Sequence, residues 1–418
     1  MKNSKIFVQI ASYRDPELVP TIADCLAKAD NPQNLTFGIC WQRDENENLD
    51  WYKTNPEKFR IREYHYSESQ GLGWARSITN QLYAGEKYTL QLDSHHRFVD
   101  GWDTMLLEDY AQALAVSDKP IITTYCTPFD TSKPIESASD VPCLMSQYEF
   151  SQDKLLMSMP HYISDYKTRN RVIRARTLSG HFYFVHGDFI KEVPYDPDIY
   201  FGGYTEETTM SVRAFTHGYD MFSPYRMLMW HEYTRNYRPK HWDDHSKESA
   251  TKKTSGERDI LARNKTRQLF GQEDHGFKMG IYGLGNKRSL HDYEVYGGFD
   301  FKRCLIQDYT LTVKEPPNPE QWEEQFKIKR LKMTVSWDIE HFKSQDIGDY
   351  QFITLGVVDK FNTNLYRIDF KPGTHPDVFN YKQSSIEVDA IADNKPERLV
   401  MYGYSTKNEW TTRYEKVL

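Results

Sequence analysis

Hydrophobic positions in the first hundred residues alternate between strand-like runs and helical spacing. Lys5–Ala11 is an almost continuous apolar run, as expected for a strand that is covered on both faces. The apolar residues of Pro16–Ala29 recur at helical spacing, and Asp15 is placed to cap that helix. This alternation predicts right-handed crossovers and a mostly parallel sheet. The other elements predicted here are strands at Leu35–Trp41, Ile61–Tyr66 and Tyr88–Leu92 and a helix at Trp74–Ala84.

The same alternation continues through the middle of the chain, interrupted by a polar loop rich in serine and proline at Thr127–Pro142. Gly202 and Gly203 form a turn directly ahead of a predicted helix. The elements predicted in this stretch are helices at Asp103–Ser117, Glu206–His217 and Glu257–Phe270 and strands at Pro120–Thr124, Gly180–Val185 and Leu228–Trp230. Together with the first hundred residues, they predict an α/β fold.

The pattern changes near Leu305 to short alternating strands with turn residues between them. A proline-rich segment, Glu315–Pro319, falls at this change. Strands of this kind are predicted at Met333–Trp337, Phe352–Val358 and Asn364–Phe370. We therefore predict two domains, an α/β domain over residues 1–304 and a β-sandwich domain over residues 305–418.

Length and charge narrow the class of protein. The 418 residues exceed what one compact core usually holds, which agrees with two domains. The formal net charge of -7 argues against a general nucleic-acid-binding protein, because such proteins are normally basic. Since no run of about eighteen apolar residues occurs, we predict no membrane span.

The N-terminal residues and the cysteines predict a cytoplasmic location. The apolar run near the N-terminus is too short for a signal peptide and lacks a small-residue cleavage site after it. The cysteines are odd in number, scattered and never in a Cys-x-x-Cys pair, so we expect thiols in a reducing compartment. They are Cys25, Cys40, Cys126, Cys143 and Cys304.

Candidate chemistry is concentrated at the carboxyl ends of predicted strands, where ligands bind in such sheets. Ser12–Asp15 follows the first strand, and Asp93-Ser94-His95 follows Tyr88–Leu92. Asp93 and His95 offer a carboxylate and an imidazole about one strand pitch apart, a donor pair that suits Mn²⁺ best and Mg²⁺ less well. A cation there would neutralise charge on the diphosphate of a nucleotide sugar. The alternative is that Asp93 caps the next turn and the histidines are structural.

Two acids and a third histidine extend this candidate site. Glu206 and Glu207 begin a helix behind the glycine turn, where they either stabilise the helix dipole or meet a substrate hydroxyl. His231 follows the strand at Leu228–Trp230. A lone histidine is more often structural, but as a third metal donor His231 would complete one face of an octahedron.

Several segments of the chain resemble one family of enzymes. They are similar to the GlcNAc-transferases whose eukaryotic members modify hydroxyproline on a cytoplasmic F-box adaptor. More distantly, Asp93-Ser94-His95, Gly180, the Gly202–Arg213 segment and His231 resemble the mucin-type polypeptide GalNAc-transferases. The segments that carry the first resemblance, within about residues 5–300, are Ile6–Pro16, Gly71–Arg76, Tyr88–Phe98, Phe201–Tyr219 and Gly283–Gly298.

The resemblance implies a GT-A fold, a UDP-GlcNAc donor, a divalent metal and retention of anomeric configuration. The implied contacts with the donor come from Ala11, Ser12, Arg14, Arg76, Asp93 and Ser94. The implied metal ligands are Asp93, His95 and His231. Glu206 or Glu207 would orient substrate hydroxyls, and the choice stays open because Tyr204-Thr205 departs from the family pattern.

Other interpretations of single residues stay open beside these. Arg14 would equally form a surface ion pair, while Trp230 and Trp242 would stack on sugar or pack in the core. The basic residues of the segment 252–267 would be a solvated face, or one or two of them would close over the diphosphate. They are Lys252, Lys253, Arg258, Arg263, Lys265 and Arg267.

We therefore predict a retaining, metal-dependent glycosyltransferase that moves GlcNAc or a related sugar from a UDP-sugar to a hydroxyl of a protein or glycan. One rival is a sugar nucleotidyltransferase, which normally has a glycine-rich basic first loop instead of Ala11–Arg14. A second rival is a carbohydrate-binding protein on a non-catalytic scaffold of the same fold.

Overall fold

The protein consists of two compact units, Met1–Trp322 and Glu323–Leu418. The structure, a computed structural model, describes most of both. The described residues are 4–49, 55–200, 205–246, 253–319, 330–343, 350–360, 362, 364–391, 395–405 and 409–418. The predicted turn at Gly202 and Gly203 lies outside them.

The first unit is an α/β structure. Its strands are β1 (Ile6–Tyr13), β2 (Leu35–Arg43), β3 (Phe59–His65), β4 (Tyr88–Leu92), β5 (His96–Phe98), β6 (Pro120–Thr123), β7 (Thr127–Pro128), β8 (Cys143–Phe150), β9 (Leu156–Tyr162), β10 (Ile173–Ala175), β11 (Phe182–His186), β12 (Asp220–Ser223), β13 (Met229–His231), β14 (Phe299–Asp300) and β15 (Leu305–Ile306). Its helices are α1 (Leu18–Ala27), α2 (Leu72–Gln81), α3 (Trp102–Leu114), α4 (Phe189–Glu192), α5 (Thr205–Thr216), α6 (His241–Asp244), α7 (Ser255–Leu269), α8 (Leu290–Gly297) and α9 (Asp308–Leu311).

A central eight-stranded sheet has the order β10-β12-β6-β11-β4-β1-β2-β3. Strands β1, β2, β3 and β4 pair in parallel, as do β6 and β12. Strand β11 runs antiparallel to both β4 and β6, and β10 runs antiparallel to β12. The sheet is therefore mixed, and the predicted α/β architecture is confirmed.

Polar side chains inside the sheet are hydrogen-bonded to one another, so their burial is compensated. Gln9 interrupts the apolar run of β1, and its amide nitrogen donates to Thr89 Oγ1 at 2.8 Å. The Gln9 amide oxygen accepts from the side chain of Asn80 at 2.6 Å. These bonds tie helix α2 to the two strands that end at the candidate site.

Strand pairing brings distant segments to one edge of the sheet. Ile10 of β1 pairs with Leu92 of β4, so the loops that follow these strands start side by side. A smaller sheet of order β5-β13-β7 places His231 opposite His96. His231 is thereby held beside the Asp93 segment, although the two are 138 residues apart in sequence.

The first unit continues beyond the predicted boundary at residue 304. That boundary falls between β14 and β15, which pair with each other. Farther along, Asn318 accepts a bond from Arg176 Nη2 at 2.7 Å, and both side chains are buried. The division lies after Trp322 because this hairpin and buried polar contact belong to the first core.

The second unit is built from antiparallel strands, as the sequence predicts. One sheet pairs the first and fourth of its strands, and the other joins the remaining five. Side chains from both sheets, among them Val335, Leu355 and Val388, share one apolar core. Its elements are β16 (Arg330–Ser336), β17 (Tyr350–Val358), β18 (Asn364–Phe370), β19 (Ser385–Ile391), β20 (Arg398–Ser405), β21 (Glu409–Trp410) and β22 (Tyr414–Val417), with helices α10 (Ile339–Lys343) and α11 (Pro376–Phe379).

Two further expectations from the sequence concern membrane-spanning helices and the cysteines. Within the described residues, we find no helix that combines the length and the apolar character needed to cross a bilayer. All five cysteines are free thiols, and all but Cys304 are buried.

Helix α3 packs on the sheet through Trp102, which allows a test of the core. Trp102 is fully buried, and its indole nitrogen donates to the carbonyl oxygen of Cys25 at 2.9 Å. We expect Trp102→Ala to lower the free energy of unfolding of the first unit by about 3–5 kcal/mol, because it leaves a cavity. Urea unfolding of the full chain, followed by circular dichroism, measures this. The control Leu114→Ala, at an exposed position of α3, should change it by less than about 0.5 kcal/mol; an equal loss in both variants would contradict the packing role.

Candidate active site

Asp93 directly follows β4 and is the centre of a cluster of charged and imidazole groups. Its Oδ2 atom lies 3.3 Å from His231 Nε2 and 3.6 Å from His95 Nε2. One potential ligand atom from each of the three residues lies within 4.8 Å of the other two. The structure therefore brings together the three residues predicted to hold a metal.

The donor set of this cluster fits a divalent cation. It offers one carboxylate oxygen and two imidazole nitrogens, which suits Mn²⁺ and related ions. His95 Nε2 is buried and has no hydrogen-bond partner among the described residues. A buried nitrogen without a partner is costly, and a bound cation would satisfy it.

Asp15 holds His95 in the orientation that a metal ligand needs. His95 Nδ1 lies 2.8 Å from Asp15 Oδ2, which also accepts from Ser94 Oγ at 2.6 Å. Burial by itself raises the pKa of Asp15, but its contacts with His95, Arg238 and Ser94 outweigh burial and hold that pKa below its usual value. A carboxylate behind one ring nitrogen fixes the tautomer that leaves the other nitrogen free to bind.

Four buried histidine rings lie close together around Asp93, those of His95, His96, His181 and His231. The ring centroid of His231 lies 4.7 Å from His95, 4.8 Å from His96 and 4.2 Å from His181. Burial, aided by neighbouring histidines, lowers the pKa of His231 and His181 well below the usual value and that of His96 to about 3. The three imidazoles are therefore neutral at pH 7, and protons do not compete for the lone pair of His231.

Arg76 lies beneath the cluster and is fully buried. Its guanidinium donates to Asp93 Oδ1 at 2.6 Å and to the carbonyl oxygens of Leu92 and Gly180 at 2.8 and 2.9 Å. Its Nε atom lies 3.3 Å from Glu206 Oε1. The structure thus places Arg76 against two carboxylates of the protein itself.

The carboxyl group of Asp93 is ionised in this setting. Burial raises its pKa, but Arg76, His231 and His95 together hold that pKa well below the usual value. A metal ligand has to be deprotonated, and this carboxylate meets that condition.

Helix α5 begins with two acids that have different partners. Glu206 accepts from the hydroxyl of Tyr195 at 2.8 Å in addition to its contact with Arg76. Glu207 accepts from the hydroxyl of Tyr125 at 2.5 Å and from the backbone nitrogen of Gly180 at 3.1 Å. Burial nevertheless raises the pKa of Glu207 to about 7.

Gly180 allows α5 to approach the end of β11. A Cβ atom added at this position would lie 2.5 Å from Glu206 Oε2, closer than van der Waals contact permits. The backbone of Gly180 also bonds both Arg76 and Glu207. A larger residue at this position would therefore displace the carboxylate of Glu206.

Asp93 borders two neighbouring clefts. The first has an open volume of about 610 Å³ and includes four predicted site residues, Ala11, Asp93, Ser94 and His95, on its wall. The second, of about 870 Å³, is lined by Glu206, Glu207, His231 and Asp93 together with Arg76. Leu72, Asp93 and Arg235 border both clefts.

Two predicted donor contacts, Ser12 and Arg14, are absent from the walls of both clefts. Ser12 is fully buried within β1. Arg14 forms ion pairs with Asp44 at 3.2 Å and Asp244 at 2.9 Å, and its guanidinium lies over the ring of Tyr66. In this structure Arg14 therefore forms ion pairs, through Nη1 with Asp244 and through Nη2 with Asp44.

Positive charge in the first cleft comes from residues that the sequence did not single out. Arg235, Arg238 and Lys240 line it, in the segment that follows His231. Arg238 Nη1 donates to the carbonyl oxygen of Tyr13 at 2.9 Å, which anchors this segment to the end of β1. A basic segment directly after a predicted metal ligand was the available signal for them.

Arg235 and Arg238 also contact acids of the protein, Asp93 at 3.8 Å and Asp15 at 3.2 Å. Three basic residues of α7 have acidic partners as well. Lys265 lies 2.5 Å from Asp196, while Arg263 pairs with Asp259 and Asp153. Arg267 lies 3.2 Å from Glu273. The predicted Lys252 lies outside the described residues.

The two tryptophans considered for sugar stacking have different positions. Trp242 is 37% exposed and lines the first cleft. The indole nitrogen of Trp230 donates to the carbonyl oxygen of Ser139 at 2.8 Å, outside both clefts.

Comparison with known proteins identifies the family. The family described as glycosyltransferase (GlcNAc) matches residues 5–58 and 51–303. No curated protein matches the chain. GalNAc-T7 with UDP, GalNAc and Mn²⁺ is similar at 13% identity over 98% of this chain and 68% of that chain, with a TM-score of 0.45. S. aureus TarS 1–349 in complex with UDP-GlcNAc is similar at 13% identity over 66% of this chain and 69% of that chain, with a TM-score of 0.38.

The family match spans more than half of the chain. It includes β1, β4, α5 and β13, which carry or precede every member of the metal cluster and both acids. The predicted architecture, a mixed sheet with helices and further β-sheets at the C-terminus, is confirmed. The chain belongs to the glycosyltransferase (GlcNAc) family and is a glycosyltransferase.

Proposed function

We propose that this glycosyltransferase moves GlcNAc, or a related sugar, from a UDP-sugar to a hydroxyl acceptor with the help of Mn²⁺ or Mg²⁺. The observation that carries the proposal is the cluster of Asp93, His95 and His231, whose ligand atoms lie within 4.8 Å of one another. The cluster stands where the two clefts meet. When bound, a divalent cation there offsets the negative charge of the departing diphosphate.

The first cleft suits the nucleotide half of the donor. It opens at the ends of β1 and β4, the edge at which α/β sheets bind ligands. Arg235, Arg238 and Lys240 line this cleft, and their positive charge would attract the diphosphate. Arg235 and Arg238 also lie 3.8 Å from Asp93 and 3.2 Å from Asp15, which holds them at the cleft wall. Ala11 leaves space beside Tyr13 for a planar base.

The second cleft suits the transferred sugar and the acceptor hydroxyl. Glu206 is held from below by Arg76 and Tyr195, so we assign it to the orientation of the site. Glu207 is the acid that we assign to a substrate hydroxyl. Its pKa of about 7, raised above the usual value for a glutamate, suits a hydrogen bond in which the carboxyl group and the hydroxyl exchange a proton.

We propose that the reaction retains the anomeric configuration. Both acids are committed to contacts within the protein, and neither is needed as a nucleophile in a mechanism where the acceptor attacks from the face that the diphosphate leaves. The oxygen–carbon bond to the diphosphate breaks, the acceptor oxygen bonds to the anomeric carbon, and the leaving phosphate oxygen takes the acceptor proton. The protein supplies positioning and electrostatic stabilisation.

The proposals for the acceptor and for the cellular compartment rest on the lining of the second cleft and on the free cysteines. We propose a hydroxyl group on a protein or a glycan, because side chains that can hydrogen-bond to a hydroxyl, such as Glu207, line the second cleft. The five free cysteines support a reducing compartment such as the cytoplasm.

Removal of a metal ligand tests the metal site. We expect Asp93→Asn to lower the rate of UDP release from UDP-GlcNAc by at least about a hundredfold, because the neutral amide binds a cation weakly. Mn²⁺ affinity, measured by electron paramagnetic resonance, should fall in parallel. Treatment of the wild-type protein with EDTA should abolish UDP release. Asp188→Asn, at an exposed position, is the matched control. Full activity in Asp93→Asn or after exhaustive metal removal would contradict the assignment.

The raised pKa of Glu207 predicts a pH dependence. If its carboxylate accepts from the acceptor hydroxyl, kcat/KM should rise as pH increases through about 7, and Glu207→Gln should remove that rise. The same raised pKa has the opposite effect on stability, which decreases as pH increases. The folded protein binds this proton more tightly than the unfolded chain, so stability falls between about pH 4.5 and 7 and levels above. A rise in activity that survives in Glu207→Gln would assign the titration to another group.

The stereochemistry of the product tests the proposed mechanism separately. From an α-linked UDP-sugar we expect an α-glycoside, because attack and departure occur on the same face. The proton coupling at the anomeric carbon of the purified product reports this configuration. A β-glycoside would overturn retention and would require a general base on the opposite face.

A further inference from the structure

The five-stranded sheet of the second unit has one face on the core and one facing outward. Leu399 and Met401 of β20 belong to the core. A Cβ atom added at Gly403 would lie 2.8 Å from the buried ring of Tyr350, so residue 403 faces the same way. Because successive residues of a strand point to opposite faces, Tyr402 and Tyr404 face outward.

Four aromatic rings gather on this outer side. Phe352 and Trp410 both pair with Tyr404 across the strands. The Trp410 ring lies 5.2 Å from Tyr404, 5.6 Å from Tyr402 and 5.8 Å from Phe352. Trp410 is 58% exposed, and the other three rings are partly exposed. We call Phe352, Tyr402, Tyr404 and Trp410 the aromatic face.

Polar groups with paired charges flank the aromatic face on the same side of the sheet. Thr354 pairs with Tyr402 and with Asp369, whose carboxylate accepts from Thr354 Oγ1 at 2.7 Å. Arg367 Nε lies 3.1 Å from the same carboxylate.

A second pair repeats this arrangement. On β20 and β22, Arg398 Nη1 lies 2.8 Å from Glu415, which also contacts Arg413. The side chains of both ion pairs are a quarter to a half exposed. Each carboxylate has a guanidinium partner, and the flanks carry little net charge.

We propose that the aromatic face binds a neutral glycan chain. The apolar face of a pyranose ring presents C–H groups that pack on the negative face of an aromatic ring. Hydroxyl groups at the rim of the sugar complement alternating carboxylates and guanidiniums, which accept and donate hydrogen bonds. Among the described residues of the flanks, two carboxylates stand against three guanidiniums, and this small net charge favours a neutral glycan over a strongly acidic one or a nucleic acid.

This site is independent of the donor clefts. Every residue of the aromatic face belongs to the second unit, while both clefts are lined by the first. Glycan binding and sugar transfer should therefore be separable by mutation. The second unit would add a glycan-binding function that the proposed transfer reaction does not require.

Calorimetric titration of the full chain with neutral oligosaccharides tests the proposal. The probes are chitohexaose, cellohexaose and mannohexaose, and we expect at least one to bind. Trp410→Ala should weaken that binding by about tenfold or more, as the loss of one stacked ring predicts. Trp410→Phe, which keeps a flat ring, should retain most of the affinity.

The matched control is Tyr162→Ala, which removes an exposed ring of the first unit and should leave glycan binding unchanged. Trp410→Ala should release UDP at the wild-type rate and unfold at the wild-type temperature. Asp93→Asn should still bind the glycan, so failure of the transferase proposal is distinguishable from failure of this one.

Three results would overturn the glycan site. They are the absence of binding by all three probes at millimolar concentration, equal binding by Trp410→Ala and wild type, and conversion of a dimer into a monomer by Trp410→Ala in light scattering. The last result would show that the aromatic face is covered by a second copy of the chain.

Discussion

The site depends on one buried guanidinium. Arg76 lies between Asp93 and Glu206, and it also satisfies the carbonyl oxygens at the ends of β4 and of the segment before β11. A buried charge costs several kcal/mol unless it is paired and fully hydrogen-bonded, and Arg76 has acceptors on every side. Loss of this cation would leave two buried carboxylates without their shared guanidinium partner, so Arg76 offsets the cost of burying both acids.

The metal cluster is built on top of that arrangement. Arg76 fixes one oxygen of Asp93, and the other oxygen is left facing His95 and His231. Asp15 sets the ring of His95 from behind. The three side chains are therefore held in place by protein contacts, which would reduce the reorganisation needed if a cation binds there.

The candidate binding surfaces of the two units differ in their charge and in their aromatic content. In the first unit, charge is concentrated at the ends of parallel strands, with Arg235 and Arg238 facing the cleft beside Asp93. On the aromatic face of the second unit, the flanking carboxylates form ion pairs with arginines, and the ring of Trp410 is exposed to solvent. The first arrangement suits a diphosphate and the second a neutral sugar chain, because electrostatic attraction dominates in one and stacking in the other.

Local sequence determined the elements and part of the site. The apolar runs of β1 and β4 and the position of Asp93 and His95 after β4 follow from patterns only a few residues long, and the family resemblance added His231. Only the tertiary structure decided that Arg76 faces protein carboxylates, that Arg14 pairs with Asp44 and Asp244, and that the first unit extends past residue 304. Those contacts join segments far apart in the chain, and local periodicity carries no information about which distant partner satisfies a buried charge.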